Sequence, residues 1–455
     1  MKVQLIRPPL DDWYQIGQFQ ELISVPTGLC MLASKLRNVV GVEVRDGMYK
    51  PKEYCSSFTD GVAGIDVADV VGISTLYSNV LNTIATIKSA KENGSTTVLG
   101  GYNIDYLAER FLEQIPELDY IIVGQGEDSF PLLVQGEKPE TIPGLVYRKN
   151  GEIVRNSQQP TPTKTLFDLD NLVDLHNLNE DNYFPLVAVR GCIKREESGP
   201  CSFCSITDKL KVANPNFFWK QVSLVAEKYG TSRFWETGDD FIVGDYPQRI
   251  LAARPNHLSD VKLRMYTSPD RITAEVLKTL KELNTEELFI GVESFNDDLL
   301  KRAGKSYSTK DITHALDLID KAKLFSEEGA GLHVPFLFGL PGETPETVNN
   351  TYEFAKSLLG TFPTARIVVS MPLPLAGTQL FEELKNNQRV RNKYSGDLDK
   401  DILFDYRELV RLQCEEYTSV TLEQMEEMID KIKELMLGEG RTTSFTVNKE
   451  KLTDF

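Results

Sequence analysis

Histidine is scarce in this chain: four among 455 residues, the first of them at position 176. A metal centre built on imidazole is therefore excluded from the N-terminal third. No run approaches the roughly 18 consecutive apolar residues that a membrane-crossing helix needs. The opening Met1-Lys2-Val3-Gln4-Leu5-Ile6-Arg7-Pro8-Pro9 lacks the long apolar region and small-residue cleavage site of a signal peptide, so a cytoplasmic protein is expected. Cysteine is sparse too, six in all with three close together, which is not the pattern of a secreted disulfide framework. Positive charge is in deficit, 50 Lys and Arg against 67 Asp and Glu, for a net −17. A surface this acidic, with no basic patch of size, argues against a nucleic-acid partner. With 41% hydrophobic and 26% charged residues the composition is that of an ordinary globular protein, long enough for two or three domains.

What is concentrated is sulfur. In Arg190-Gly191-Cys192-Ile193-Lys194-Arg195-Glu196-Glu197-Ser198-Gly199-Pro200-Cys201-Ser202-Phe203-Cys204 the cysteines are spaced C-x8-C-x2-C. Thiolates this close can share one metal centre. Four would complete a zinc site or an ordinary iron–sulfur cluster, whereas three leave one iron of a 4Fe–4S cluster open to another ligand. The stretch follows the apolar run 184–189, which reads as a buried strand. The C-terminal end of a barrel strand is where barrel active sites sit. Structural thiols or a zinc knuckle remain the alternatives. Cys30, Cys55 and Cys414 are scattered, and Cys30 lies on an apolar helix face as a core residue.

Residues 1–150 alternate strand and helix signals. Strands are expected at 3–6, 42–46, 70–75, 97–101 and from 120, with helices over 27–37, 79–93 and 106–114 and after the fifth strand. This alternation implies an α/β domain with a parallel, doubly wound, Rossmann-like sheet. Ser74, Gly100, Gly101, Gly124 and Gly126 fall at strand ends, where such sheets bind ligands and where glycine lets backbone approach them. Tight strand–helix turns with no ligand are the alternative. No G-x-G-x-x-G follows the first strand, which weighs against a dinucleotide. Lys149-Asn150-Gly151 signals a hairpin, and the polar run 156–164 makes 151–182 a linker or strap.

From 183 to 380 six strands are expected, near 184–189, 233–237, 262–267, 288–293, 333–338 and 367–371, each with room for a helix after it. The pattern is a partial (β/α)6 barrel. Polar residues ending its strands are candidate ligands. They are Glu236, Thr237, Gly238 and Asp239 after strand two, Glu293 and Ser294 after strand four, and the Phe338-Gly339 turn after strand five. The segment 236–239 also suits a helix N-cap. A buried Glu293 needs a partner. Arg264, Tyr266 and Arg271 surround strand three as candidates for a carboxylate, Arg271 being equally suited to solvated surface. His333, toward the barrel bottom, reads as structural. Residues 381–455 read as a helical C-terminal extension.

These residues resemble the radical SAM superfamily, in the subfamily whose barrel follows a cobalamin-binding-like domain. The family's usual signature is C-x3-C-x2-C with an aromatic residue before the last cysteine. Phe203 fits that position, and the first gap here is longer by the polar residues 194–198, expected to bulge into solvent. The resemblance implies that Cys192, Cys201 and Cys204 hold a 4Fe–4S cluster. It further implies that Phe203 packs near the adenine of S-adenosylmethionine, that Glu236 through Asp239 grip its amino group, that Glu293 and Ser294 hydrogen-bond it, and that the Phe338-Gly339 turn passes under the adenine. Gly72-Ile73-Ser74, Gly100-Gly101 and Gly124-Gln125-Gly126-Glu127 look like the cobalamin domain's recurring elements. Its D-x-H-x-x-G motif is absent, so a cobalamin here would have no protein histidine below its cobalt. The implied activity is reductive cleavage of S-adenosylmethionine to a 5′-deoxyadenosyl radical that attacks an unactivated C–H of a small molecule, with an external donor such as flavodoxin or ferredoxin. Cobalamin-dependent C-methylation is the leading expectation. Cobalamin-free oxidation, rearrangement or C–C bond chemistry is the second. An electron-transfer or zinc-binding protein without turnover is a third, and it gives the Glu293 and Gly339 features no role.

Overall fold

Short apolar runs separated by amphipathic segments build the N-terminal sheet. The computed structural model describes residues 1–11, 25–47, 67–102, 104–158, 183–325, 331–394 and 405–438. They fall into two compact units, one up to 158 and the other from 183. Cys55, His176, most of the expected strap and the tail from 441 lie outside the described residues.

In the first unit β1 (Lys2–Arg7), β2 (Gly41–Asp46), β3 (Val70–Thr75), β4 (Thr96–Gly101) and β5 (Tyr120–Ile122) form the parallel part of a sheet of order β2-β1-β3-β4-β5-β6-β7. Leu5, Ala33, Val98 and Phe130 are among its buried core. The hairpin signalled at 149–151 joins β6 (Leu145–Lys149) to β7 (Glu152–Arg155); β6 extends this same sheet antiparallel to β5, and β7 pairs antiparallel with β6 at the edge. β5 is shorter than the apolar run suggests. Val123 N still bonds Gly144 O, the next step of the β5–β6 register, but Gly124 then turns the chain with φ +81°. Gly126 therefore opens the helix Gly126–Val134 instead of ending a strand.

The second unit is an open sheet of six parallel strands: β8 (Phe184–Leu186), β11 (Arg233–Glu236), β12 (Lys262–Thr267), β13 (Thr285–Ile290), β14 (Gly331–Leu337) and β15 (Arg366–Ser370). The first strand is cut short, and Val189–Arg190 (β9) instead pairs antiparallel with Lys211–Val212 (β10). The fourth begins at Thr285 and stops before Glu293. The C-terminal extension is helical at Gln379–Asn386, Gln388–Lys393, Tyr406–Tyr417 and Leu422–Gly438. The first two of these helices are separated at Asn387, whose Oδ1 accepts from the amides of Arg389 and Val390 and starts the second. Among the described residues no helix is long and apolar enough to cross a membrane.

The barrel interior carries a charged floor. Glu287 Oε2 lies 3.3 Å from His333 Nε2 and 3.4 Å from Arg264 Nε, and Oε1 lies 3.3 Å from Arg366 Nη1. His333 is fully buried and stacks on Phe289 with centroids 4.0 Å apart, a structural role as its position suggested. Burial works to raise the Glu287 carboxyl, but the contact with His333 and the nearby Arg264 and Arg366 guanidiniums outweigh it and hold it at about 2. A depressed carboxyl stabilises the fold above its unfolded value, and that contribution is lost as pH falls toward 2. It is worth about 3 kcal/mol. Urea unfolding midpoints of the wild type should fall between about pH 4.3 and 2 more steeply than those of Glu287→Gln. Equal slopes would remove this account of the floor.

Candidate active site

The loop after β9 is set by Gly191, with φ +77°; an added Cβ there would lie 2.7 Å from Asp208 O. Cys192 follows at once. The polar insertion is not a loose bulge but a short helix, Ile193–Ser198, closed by Gly199 at φ +86°. Its Glu196, Glu197 and Ser198 face solvent, while Lys194 is buried. Beyond it, Cys204 N bonds Cys201 O, Ser202 N bonds Ala303 O, and Leu380 N bonds Ser202 O. One bond within the turn and two from other segments, at Ala303 and Leu380, thus pin the cysteine turn.

The three cysteines are electrostatic neighbours: Cys204 feels both Cys201 and Cys192, and Cys192 feels Cys201. Burial pushes the Cys204 thiol up to about 11 and raises that of Cys192. Metal binding must displace those protons. Among the described residues, no three His, Cys, Asp or Glu side chains converge on a point that one ion could fill. A mononuclear zinc site needs such convergence.

Strand two is stitched to this loop. Glu236, buried, accepts at Oε1 from the amides of Ala188 (2.8 Å), Val189 (3.1 Å) and Gly238 (3.0 Å). Its Oε2 is buried without a hydrogen-bond partner among the described residues, as is Ser294 Oγ. Burial raises its carboxyl to about 7 despite the amides. Thr237 Oγ1 donates to Leu186 O, and a Cβ at Gly238 would lie 2.2 Å from Val189 O. Asp239 accepts from Gly191 N at 2.9 Å and is raised by burial to about 6. Much of the bonding capacity of 236–239 is therefore used to shape the cysteine loop, and one oxygen of Glu236 is left over.

Strand four ends differently from the expectation. Glu293 lies past β13 with φ +65°, held by Glu293 N to Pro335 O and Leu337 N to Glu293 O. Its Oε1 accepts from Lys305 Nζ at 2.8 Å, both side chains about 12% exposed. Ser294 is fully buried and its Oγ has no hydrogen-bond partner. Lys305 is the functional candidate that sequence reasoning missed. Its Nζ stands 5.2 Å over the Phe203 ring and 5.6 Å over the Tyr307 ring. Burial works to lower its pKa, but Glu293, Tyr307 and Cys201 together hold it well above the ordinary lysine value. Phe203 also packs on Leu299, Ala303 and Leu340.

After β14, Phe338 is buried and Gly339 turns with φ +102°. Glu343, also unassigned by sequence, accepts from Gly339 N at 2.5 Å and Leu340 N at 3.3 Å, and burial raises it to about 7. It fixes the turn from beneath. Two expected cations are committed elsewhere. Arg264 sits over Trp235 and Phe289 beside Glu287 in the floor, and Arg271 donates to Glu197 of the insertion at 2.6 Å. Tyr266 stacks near Phe289 with centroids 4.7 Å apart.

In the first unit Ser74, Gly100 and Gly101 end β3 and β4 side by side, Ser74 paired with Gly100 and Thr75 with Gly101. A Cβ on Gly101, at φ +134°, would lie 2.1 Å from Thr75 O. Gly124 N donates to Asp105 Oδ1 of the neighbouring loop at 3.2 Å. These residues share the carboxyl edge of the sheet, the edge at which open parallel sheets of this strand order bind ligands.

Comparisons with known proteins agree with the geometry. The model of the radical SAM superfamily matches residues 186–355, and that of the B12 binding domain matches residues 21–134. An uncharacterized methyltransferase of Pyrococcus horikoshii is 26% identical over 397 residues, covering 84% of this chain and 83% of that protein. The anaerobic magnesium-protoporphyrin IX monomethyl ester cyclase of Cereibacter sphaeroides is 24% identical, covering 71% of this chain and 54% of that one. Among solved structures, the radical S-adenosylmethionine methyltransferase TsrM of Kitasatospora setae, with cobalamin and a 4Fe–4S cluster bound, superposes with TM-score 0.64 at 17% identity. That match covers 84% of this chain and 75% of TsrM. The cobalamin-dependent S-adenosylmethionine radical enzyme OxsB superposes with TM-score 0.59 at 19% identity, covering 86% and 56%. At such identities the superpositions speak to the fold alone.

Proposed function

The chain belongs to the radical SAM superfamily, with a B12-binding domain ahead of its barrel, and from that premise we propose that it is a cobalamin-dependent methyltransferase acting on an unactivated carbon of a small molecule. The observation that carries the reading is the grouping of Cys192, Cys201 and Cys204 beside a buried cation, Lys305, and two buried oxygens that lack partners, Glu236 Oε2 and Ser294 Oγ. A ligand with an anionic and a cationic end satisfies all of them, and the amino-acid end of S-adenosylmethionine is such a ligand.

When bound, the cluster, S-adenosylmethionine and cobalamin supply the electron, the radical and the methyl group. The chain's own residues hold and orient them. Cys192, Cys201 and Cys204 ligate three irons and leave the fourth for the amino-acid end of S-adenosylmethionine. Lys305 meets the carboxylate, Glu236 Oε2 the ammonium, and Ser294 Oγ and Glu293 the nearby hydroxyl and amine groups. Phe203 and the Phe338-Gly339 turn would bracket the adenine. Ser74, Gly100, Gly101, Gly124 and Gly126 would offer cobalamin an edge on which only Ser74 carries a side chain. An electron donor of the flavodoxin or ferredoxin kind delivers the electron.

Anaerobic reconstitution with iron and sulfide tests this. About four irons per chain, release of 5′-deoxyadenosine or methylated product from S-adenosylmethionine, and a corrin absorption band retained through gel filtration are expected. Iron and cleavage without a corrin band would favour radical chemistry without cobalamin. The absence of any histidine before position 176 is the observation on that side. No iron retention would end both readings.

A further inference from the structure

The insertion that lengthens the cysteine motif has a feature its sequence hides. Lys194, on the helix Ile193–Ser198, is about 8% exposed and sends its Nζ to Gly199 O at 2.8 Å. That bond runs from two residues after Cys192 to two residues before Cys201, so it closes the insertion upon itself. The same Nζ and the Cα of Cys201 border one spot, the position of a Cβ on Gly304, at 3.7 Å and 3.6 Å. No carboxylate among the described residues pairs with this ammonium, and two of its three donors have no partner there.

Charge balance sharpens the point. Among the described residues, the buried charges shown beside Cys201 are Lys194 and the Lys305–Glu293 pair, so that Lys194 is a positive charge over. The carboxyls raised by burial near the cysteines, Asp239 and Asp240, lie toward Cys204 and Cys192 and are met by Arg190 and Arg271. A buried charge without a counter-charge is costly, so an anion belongs on the Cys201 side. A 4Fe–4S core with three thiolates is an anion, and it becomes more negative on reduction.

We propose that Lys194 is a positioning residue for the cluster, its buried ammonium tying the Cys192 and Cys201 segments together and favouring the reduced state. The proposal rests on the reading that these cysteines hold the cluster, and it extends that reading to a residue inside the insertion. The shorter C-x3-C spacing closes the same gap by length alone. Here a side chain does so and adds a charge.

The test is a potentiometric titration of the reconstituted full chain, followed by electron paramagnetic resonance, in the absence of S-adenosylmethionine. Lys194→Gln keeps a donor for Gly199 O but removes the charge. It should retain wild-type iron and thermal stability, yet show a ~10-fold lower ratio of reduced to oxidised cluster at fixed potential, about 59 mV for a one-electron couple. Lys194→Met should show the same shift and lose iron faster on dilution, since it lacks the donor as well. Lys194→Arg should return most of the shift. A Lys194→Gln protein with full iron and an unshifted midpoint overturns the proposal. So does a variant whose midpoint is unchanged while its affinity for S-adenosylmethionine falls, because the counter-charge would then be the ligand's carboxylate. A wild-type chain that takes up no cluster would instead defeat the underlying reading.

Discussion

Lys305→Met is expected to abolish S-adenosylmethionine cleavage, below a thousandth of the wild-type rate, although all three cysteines remain. Among the described residues Lys305 is the partner of Glu293 Oε1, at 2.8 Å, and both groups are largely withdrawn from water. Removing one member of a buried ion pair leaves the other charge uncompensated, at a cost of about 3–5 kcal/mol. The single variant should therefore be unstable as well as inactive, and inactivity alone would be ambiguous. The double variant Lys305→Met/Glu293→Gln resolves it. With the stranded carboxylate neutralised, most of the stability should return in urea unfolding, and reconstituted iron should approach the wild-type content. Cleavage should not return, because the cation for the ligand's carboxylate is still missing. Cys201→Ala provides the contrast, losing cluster absorption along with activity. A double variant that cleaves S-adenosylmethionine normally would reduce Lys305 to a structural partner of Glu293.

The same region shows where sequence reading reaches its limit. Apolar strands such as Val70–Thr75 and Lys262–Thr267 were legible because their side chains face buried layers. The start of β13 was not, because it reads Thr285-Glu286-Glu287. Those carboxylates are buried, and their cationic partners Arg233, Lys262, Arg264 and Arg366 come from other strands, far away in sequence. No local period reveals such a pairing. Glu293 was recognised as a candidate but placed within a strand, since nothing local announces a glutamate at φ +65°. Lys305 follows an ordinary Ala303-Gly304 turn, and only the fold brings it to Phe203 and Cys201. The insertion 194–198 was expected to face solvent, as its composition suggests. One helical turn is enough to send Lys194 the other way while its neighbours stay exposed. The cysteine spacing, by contrast, needed no tertiary context to be read as a shared centre.

In the first unit the largest effect is expected from Gly100→Leu, and the argument turns on comparing two adjacent glycines. Gly101 is required by the backbone. Its φ of +134° and the 2.1 Å from a Cβ to Thr75 O leave no room for any side chain, so Gly101→Ala should lower the melting temperature whatever the domain binds. Gly100 has no such constraint. A Cβ there would meet nothing nearer than Ile122 O at 3.7 Å, ordinary contact distance, and the residue is half-exposed. Gly100→Leu should thus change stability by no more than about 1 kcal/mol. It would, however, place a branched side chain on the carboxyl edge between β3 and β5, where a ligand of this kind of sheet lies. Cobalamin retention should fall at least tenfold, read from the corrin band after gel filtration, and methyl transfer should fall with it. Release of 5′-deoxyadenosine at the barrel should persist, since the variant touches only the other unit. Gly100→Leu with an undiminished corrin band would mean that cobalamin, if held, does not rest on this edge. Loss of the band together with a melting temperature near that of the wild type would separate a ligand's need for bare backbone from the fold's own need for glycine, which Gly101 alone carries.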